Sequence, residues 1–296
     1  MHFDPRQLNT LAAILHHGSF ESAARVLGLT QSAVSQRLKA LEEQTGSILV
    51  LRETPCRGTR AGRRLAAHAE NVRLLEQQVQ ADLGGDPGGD AGFARLRIAV
   101  NADSLDSWFL PALAQIEGVV FELVVDDQDH SVGWLRRGEV VAAVTSHAAP
   151  VQGCDSLALG ALSYEATASP DFIARWFATG VTVDTIARAP MLRFDAKDTL
   201  QASWMRAHLG RAVDAPSHQL PSTRGFVTAA QLGLGWGMNP APLVAGDIEA
   251  GRLVPLLPDS TYHTPLFWQS SRMLAQALRP ITRALRREAR RALTQL

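Results

Sequence analysis

One short run of residues divides this chain. Gly84-Gly85-Asp86-Pro87-Gly88-Gly89-Asp90-Ala91-Gly92 holds five glycines and a proline. Neither a helix nor a strand runs through such a stretch. The chain has 296 residues, enough for two or three domains. The break falls where helical periodicity gives way to alternating strands and helices. The chain is therefore expected to fold as two units joined by a hinge over residues 84–94.

In the first unit, Phe20, Ala23, Ala24 and Leu27 recur at helical spacing, with Ser19 placed to cap the helix. Gly28 interrupts the pattern where a positive φ is cheap. Thr30 opens a second helix whose Ala33, Val34, Leu38 and Leu41 share a face, and Gly46 closes it. Two short helices around a glycine turn make a helix-turn-helix. The outer face of the second carries Gln31, Ser32, Ser35, Gln36, Arg37 and Lys39. Gln and Arg can make paired hydrogen bonds to purine edges, and Ser can bond bases or phosphates. An ordinary helical hairpin with a polar face competes with the DNA-reading interpretation. Residues 5–16 read as a preceding helix with Leu8, Leu11, Ala12 and Leu15 inward, completing a three-helix core. Residues 48–52 and the segment around Thr59 are expected as the strands of a wing. Residues 61–83 read as a long helix with a narrow stripe of Leu65, Ala69, Val72, Leu75, Val79 and Leu83. That stripe suits pairing with a second copy; packing on its own domain is the alternative.

Net charge is zero, so nothing global advertises a nucleic-acid partner. Residues 1–83 carry ten Lys/Arg and eight Asp/Glu, a net of +2, and a local basic surface is all that a dimeric DNA reader needs. The two cysteines, Cys56 and Cys154, fall in different expected domains and suggest no disulfide framework. No signal peptide is evident, and no apolar run reaches the ~18–20 residues of a membrane span. A cytoplasmic protein without membrane contact is expected.

After the break, strands are expected over 96–100, 119–125, 140–144, 191–194, 234–238 and 266–269. Helices are expected over 104–115, 132–137, 200–209 and 226–232, with a C-terminal helix from about 273. This alternation implies an α/β domain with a largely parallel sheet. In such sheets ligands lie beyond the carboxyl ends of strands, near helix N-termini. That rule picks out Asn101, Asp103, Ser104, Thr145, Ser146, Asp195, Ser222 and Thr223. The hydroxyls suit a carboxylate, with plain helix capping as the other reading of Ser104, Ser222 and Thr223. Asp103 and Asp195, directly after strands, suit an ammonium or guanidinium. Asp126, Asp127 and Asp129 share that chemistry, or are simply solvated.

An enzyme is not expected. Gly233-Leu234-Gly235-Trp236-Gly237 lacks the spacing of a phosphate or dinucleotide loop, and reads as a close approach to a strand. The nine histidines show no metal-ligand spacing, and Cys154 has no evident base near it in sequence. No catalytic residue, metal or cofactor is assigned. The arginines at 279, 283, 286, 287, 290 and 291 read as a solvated helix face.

Ala23-Ala24, Leu27, Gln31-Ser32-Ala33-Val34-Ser35, Leu41-Glu42, Gly46, Arg52 and Thr59-Arg60-Ala61-Gly62 resemble the N-terminal signature of LysR-type transcriptional regulators. Gly58 stands where that family usually has leucine. The resemblance implies a winged helix-turn-helix over 1–60, with Arg52, Arg57 and Thr59 of the wing near phosphates. It implies a linker and dimerisation helix over 61–83. Over 95–296 it implies a two-lobed, periplasmic-binding-protein-like effector domain. Lobe I would be about 95–163 and 268–296, lobe II about 164–267, with crossovers near Tyr164 and Phe267. The partners it implies are double-stranded operator DNA, a second copy in a homodimer, further pairing into a tetramer, and RNA polymerase.

The run from Ala99 through Asn101, Asp103 and Ser104 to Trp108 narrows the resemblance to the ArgP/LysG branch, regulators of basic-amino-acid export. So do Asp126-Asp127-Gln128-Asp129-His130, Phe194-Asp195 and Pro221-Ser222-Thr223. The branch implies lysine or arginine as co-effector and an exporter gene as target, and it brings Trp108 in among the candidate pocket residues. A sequence-tolerant architectural DNA-binding protein is the alternative, marked by binding that ignores sequence yet falls steeply with salt.

Overall fold

The computed structural model describes residues 2–83, 94–126 and 131–295. Apart from Ala94, the expected hinge lies outside the described residues, as do Asp127 and Asp129. The N-terminal unit comprises α1 (Pro5–His17), α2 (Phe20–Leu27), α3 (Gln31–Thr45), β1 (Val50–Leu51), β2 (Arg57–Gly58) and α4 (Arg60–Asp82). Leu11, Ile14, Ala23, Val34, Leu38 and Leu41 close into one core. Gly28 takes the left-handed conformation, φ 63°, that the turn between α2 and α3 requires. Glu42 ties the next segment down: its carboxylate accepts the N–H of Leu49 at 2.8 Å.

The wing is shorter than expected, pairing Val50 with Gly58 and Leu51 with Arg57. Gly58 is buried, and a Cβ there would come within 2.9 Å of the Leu15 side chain. Leu15 of α1 packs against this glycine. Thr59 lies beyond the strand and starts α4, its hydroxyl accepting the N–H of Gly62 at 3.1 Å.

The C-terminal unit begins with β3 (Ala94–Val100). A continuous helical run follows: α5 (Ala102–Ser104), a π-helical turn over Leu105–Phe109, and α6 (Leu110–Leu113). Next come β4 (Val119–Val125), α7 (Ser131–Arg137), β5 (Ala142–Thr145), β6 (Cys154–Ala168), α8 (Pro170–Trp176) and α9 (Val183–Ile186). Then β7 (Met191–Arg193), α10 (Leu200–Leu209), β8 (Ser217–Gln219), α11 (Thr223–Gln231), β9 (Gly237–Pro240) and α12 (Ala241–Glu249). The last elements are β10 (Val254–Pro255), β11 (Tyr262–Ser271), a 3-10 turn over Arg272–Leu274 and α13 (Arg279–Ala292).

The sheet is mixed, which corrects the expectation of a largely parallel one. Its order is β10-β6-β11-β5-β3-β4, with β9 also on β6. β3 runs parallel to β4 and β5, but β11 is antiparallel to β5 and β6, and β6 to β9 and β10. The cause is the 15-residue β6, which sequence periodicity does not reveal because small residues interrupt its pattern. Paired with β11, it forms a spine. One end carries β3–β5 (lobe I), the other β9 and β10 (lobe II). A buried core of Trp108, Phe109, Trp204, Trp236 and Trp268 lies along this spine. The glycines of 233–237 are packing devices: Gly235 lies against Leu192, and Gly237 against the Phe226 ring. On α13, Ile281, Ala284, Leu285 and Ala289 are buried, and Arg287 and Arg291 flank Glu288.

The units meet through α4. Leu74 is buried in the core of the C-terminal unit. Arg63 lies 3.5 Å from Glu139, whose side chain is only 4% exposed and is also paired with Arg137 at 3.1 Å. A buried carboxylate needs such partners. Further along α4, Leu75 and Val79 are 36% and 56% exposed, and Leu83, the residue after its end, is 82% exposed.

Candidate functional site

The outer face of α3 is built by capping and by the inward turn of its apolar residues. Thr30 accepts the Ala33 N–H at 3.2 Å and starts the helix. With Val34, Leu38 and Leu41 buried, Gln31, Ser32, Gln36 and Lys39 are left exposed, and Ser35 and Arg37 half-buried. Lys39 sits 3.6 Å from Glu43, an exposed pair that is readily exchanged for a phosphate. Arg52 stacks its guanidinium 4.9 Å from the centre of the Phe20 ring. Arg57 is exposed beside Glu53 at 3.8 Å. Thr59 differs from these: its hydroxyl donates to the Ile48 carbonyl at 2.8 Å as well as capping α4, so it is committed within the protein.

A second candidate site is a cleft between the lobes. It is lined by Asn101, Ala102 and Asp103 after β3, by Val125 and Asp126 at the end of β4, by Phe194, Asp195 and Asp198 between β7 and α10, and by Leu200 at the start of α10. Thr223, Phe226, Met238 and Pro240 close it from lobe II. Among the described residues that line it, four are carboxylates and none is Lys or Arg.

Asp103 crosses the cleft. One carboxylate oxygen accepts the Tyr164 hydroxyl at 2.7 Å, the other the Thr223 hydroxyl at 2.8 Å. Burial pushes its carboxyl up to about 6; the two hydrogen bonds oppose that shift, and Asp198 and Asp106 reinforce it. Asp126 accepts the Trp134 indole N–H at 2.9 Å. Asp195 accepts the N–H groups of Lys197 and Asp198 at 2.7 and 3.1 Å. Asp198 accepts those of Phe194 and Leu200 at 2.8 and 3.0 Å. Asn101 is 3% exposed, and neither its amide oxygen nor its nitrogen has a partner. A buried amide left in that state costs free energy until something bonds it.

The structure thus brings Asn101, Asp103, Asp195 and Thr223 together around the cleft and leaves Ser104, Trp108, Thr145, Ser146 and Ser222 outside its lining. The helix after β3 begins at Ala102 rather than 104, and that earlier start turns Ser104 and Trp108 inward. Both are buried, and the Trp108 ring meets Phe109 edge-on. Thr145 is buried opposite Phe267 of β11 and bonds the His147 N–H, while Ser146 lies beside the same His147 ring. Ser222 caps α11 by accepting the Gly225 N–H. Sequence reasoning missed Asp198, Tyr164 and the apolar wall of Phe194, Phe226 and Met238. Asp198 had a signal: a second carboxylate three residues after Asp195, just before a helix start. Among the described residues no His/Cys/Asp/Glu cluster could hold a metal ion, and no helix is long and apolar enough to cross a membrane.

Comparison with known proteins agrees with both halves. Residues 5–63 match the family model for the bacterial regulatory helix-turn-helix protein of the lysR family, and residues 89–290 match the LysR substrate binding domain. The chain is 43% identical over 291 residues to the HTH-type transcriptional regulator ArgP of Pseudomonas aeruginosa, covering 96% of this chain and 95% of that protein. It is 40% identical over 286 residues to the regulator LysG of Mycobacterium tuberculosis, covering 97% and 93%. The crystal structure of ArgP from Mycobacterium tuberculosis superposes with a TM-score of 0.82 at 39% identity, covering all of both chains. Full-length LysG of Corynebacterium glutamicum, solved with bound effector Arg, gives a TM-score of 0.69 at 36% identity, covering 99% of this chain and 100% of that one. The chain belongs to the LysR family of bacterial helix-turn-helix transcriptional regulators.

Proposed function

We propose that this regulator senses a basic amino acid, arginine or lysine, in the cleft between its lobes, and controls a gene for basic amino-acid export. The observation that carries the reading is the four-carboxylate lining without a lining Lys or Arg. Such a cleft favours a guanidinium or ammonium. The unpartnered amide of Asn101 offers a donor for the ligand's α-carboxylate and an acceptor for its α-ammonium. The bound arginine of the Corynebacterium glutamicum LysG structure supports the same ligand class.

In this reading Gln31, Ser32, Ser35, Gln36, Arg37 and Lys39 face operator DNA, and Arg52 and Arg57 lie along its phosphates. The exposed Leu75 and Val79 of α4, with Leu83 just after it, pair with a second copy, placing two recognition helices in major grooves roughly 34 Å apart. Dimers then pair into tetramers at promoters, where they meet RNA polymerase. The unit boundaries follow: DNA-binding residues 1–60, linker helix 61–83, hinge 84–94, and an effector domain with lobes crossing near Tyr164 and Phe267. A ligand bridging both lobes favours the closed arrangement. The Arg63–Glu139 contact carries that preference to α4.

The test is a footprint on the promoter of a basic amino-acid exporter gene, with and without arginine or lysine. The reading expects a protected sequence whose pattern changes with the basic amino acid and not with leucine. Protection that ignores sequence and disappears with salt would instead identify an architectural DNA-binding protein.

A further inference from the structure

The cleft is faced by a cation of the protein's own. Lys197 sits in the turn Asp195-Ala196-Lys197-Asp198 between β7 and α10. The turn is pinned: Asp195 accepts the backbone N–H groups of Lys197 and Asp198, Asp198 accepts the N–H of Phe194, and the Arg193 guanidinium donates to the carbonyls of Ala196 and Asp198 at 3.2 and 3.0 Å. So held, lobe II directs the Lys197 ammonium to lobe I, 4.0 Å from a carboxylate oxygen of Asp126. The other Asp126 oxygen is occupied by the Trp134 indole.

This pair is built to be exchanged. The Lys197 side chain is 54% exposed and that of Asp126 25%. An ion pair that open and that long holds weakly and is screened by salt. Yet Asp126 is one of the carboxylates that line the cleft. An arriving guanidinium or ammonium needs the same charge that Lys197 already neutralises.

We propose that Lys197 is a tethered competitor for the effector: its ammonium lies against Asp126 and must be displaced from it by the cationic end of a basic amino acid. The inference rests on the basic-effector reading above and adds a specificity-determining residue to it. A ligand that presents a cation at Asp126 replaces what it removes. A neutral amino acid has nothing to offer Asp126 and leaves the pair in place. The competitor also raises the concentration at which the cleft fills, setting the response threshold.

The experiment is calorimetric titration of the full-length protein with L-arginine and with agmatine, its decarboxylated analogue. K197A is expected to bind both about two- to fivefold more tightly than wild type, the range of an exposed charge pair, with the gain shrinking as salt rises. K197R, which keeps the charge, is expected to bind like wild type. In a D126N background the K197A substitution is expected to change nothing, since the contested carboxylate is gone. Weaker arginine binding by K197A with agmatine unchanged would make Lys197 the partner of the ligand carboxylate and overturn the proposal. Unchanged binding of both ligands would overturn it equally. A wild-type protein that binds neither ligand, and does not bind L-lysine either, would overturn the basic-effector reading itself, and this inference with it. Wild-type binding that K197A leaves untouched would overturn this inference alone.

Discussion

The two recognition surfaces of this chain are assembled in opposite ways. The proposed DNA-reading face comes from one 15-residue helix, and its polar residues are held out by apolar residues three and four positions away. The cleft draws its walls from segments between Asn101 and Pro240, joined only because β6 and β11 run through both lobes. The first surface stands on a local core and the second on long-range strand pairing. A substitution that damages one is therefore expected to spare the other, and the predictions below test that separation.

The largest effect is expected from L38A. Leu38 is 1% exposed within the N-terminal core, and truncating such a side chain costs about 2–5 kcal/mol. Thermal melting should show early loss of the DNA-binding unit, while arginine titration is preserved. A loss of both would show that the two units fold as one.

Next come Q36A and R37A on the outer face of α3. Each is expected to lose about 1–3 kcal/mol of discrimination between operator and unrelated DNA, measured by competition binding, with arginine affinity intact. Unchanged footprints in both variants would remove these residues from base reading.

D103N sharpens the comparison from the other side. It keeps an acceptor for Tyr164 or Thr223 but deletes the charge, and is expected to weaken arginine binding tenfold or more, about 1.4 kcal/mol, with the arginine-free footprint unchanged. The pH profile carries the same information. The Asp103 carboxyl is raised from 3.8 to about 6 by burial, so the folded chain holds a proton there that the unfolded chain has released. Its contribution to stability is greatest below pH 3.8 and is lost as pH rises through about 6. Arginine affinity runs the other way: it is expected to rise as pH climbs through about 6 and then level off, and D103N should flatten that rise. D195N is the companion test in lobe II. Asparagine keeps an oxygen for the Lys197 and Asp198 N–H groups, so lost affinity would report charge rather than a broken turn.

Thr30→Ala gives the smallest effect. Loss of the cap on the Ala33 N–H is expected to cost about 1 kcal/mol, read as a shift in the melting of the DNA-binding unit alone.

The same contrast explains what the sequence made legible. The caps Ser19 and Thr30, the turn at Gly28 and the buried stripe of Val34, Leu38 and Leu41 are signals written within a few residues of one another, and each corresponds to a feature of α2 or α3. Strand β4 and helix α10 were equally plain, because the apolar run of the first and the helical stretch of the second both end in clear breaks. β6 was hidden: Gly160 interrupts it at mid-length, and its buried residues include the small Ala161, Ala166 and Ala168 and fall out of strict alternation. With β6 unread, the antiparallel spine was unread too, and with it the reason that Tyr164 reaches Asp103. The candidate cleft residues directly after strands, Asn101, Asp103 and Asp195, follow from a positional rule that needs no tertiary knowledge. Ser104 and Trp108 do not, because a two-residue shift in a helix start turns a side chain from cleft to core.

The central claim is that one surface reads DNA and the other senses a basic amino acid. The most direct test is calorimetric titration of the purified full-length protein with arginine, lysine and leucine. The account predicts saturable heat with arginine or lysine and none with leucine. Heat with leucine equal to that with the basic amino acids, or no heat with any of the three, would contradict the assignment of the cleft.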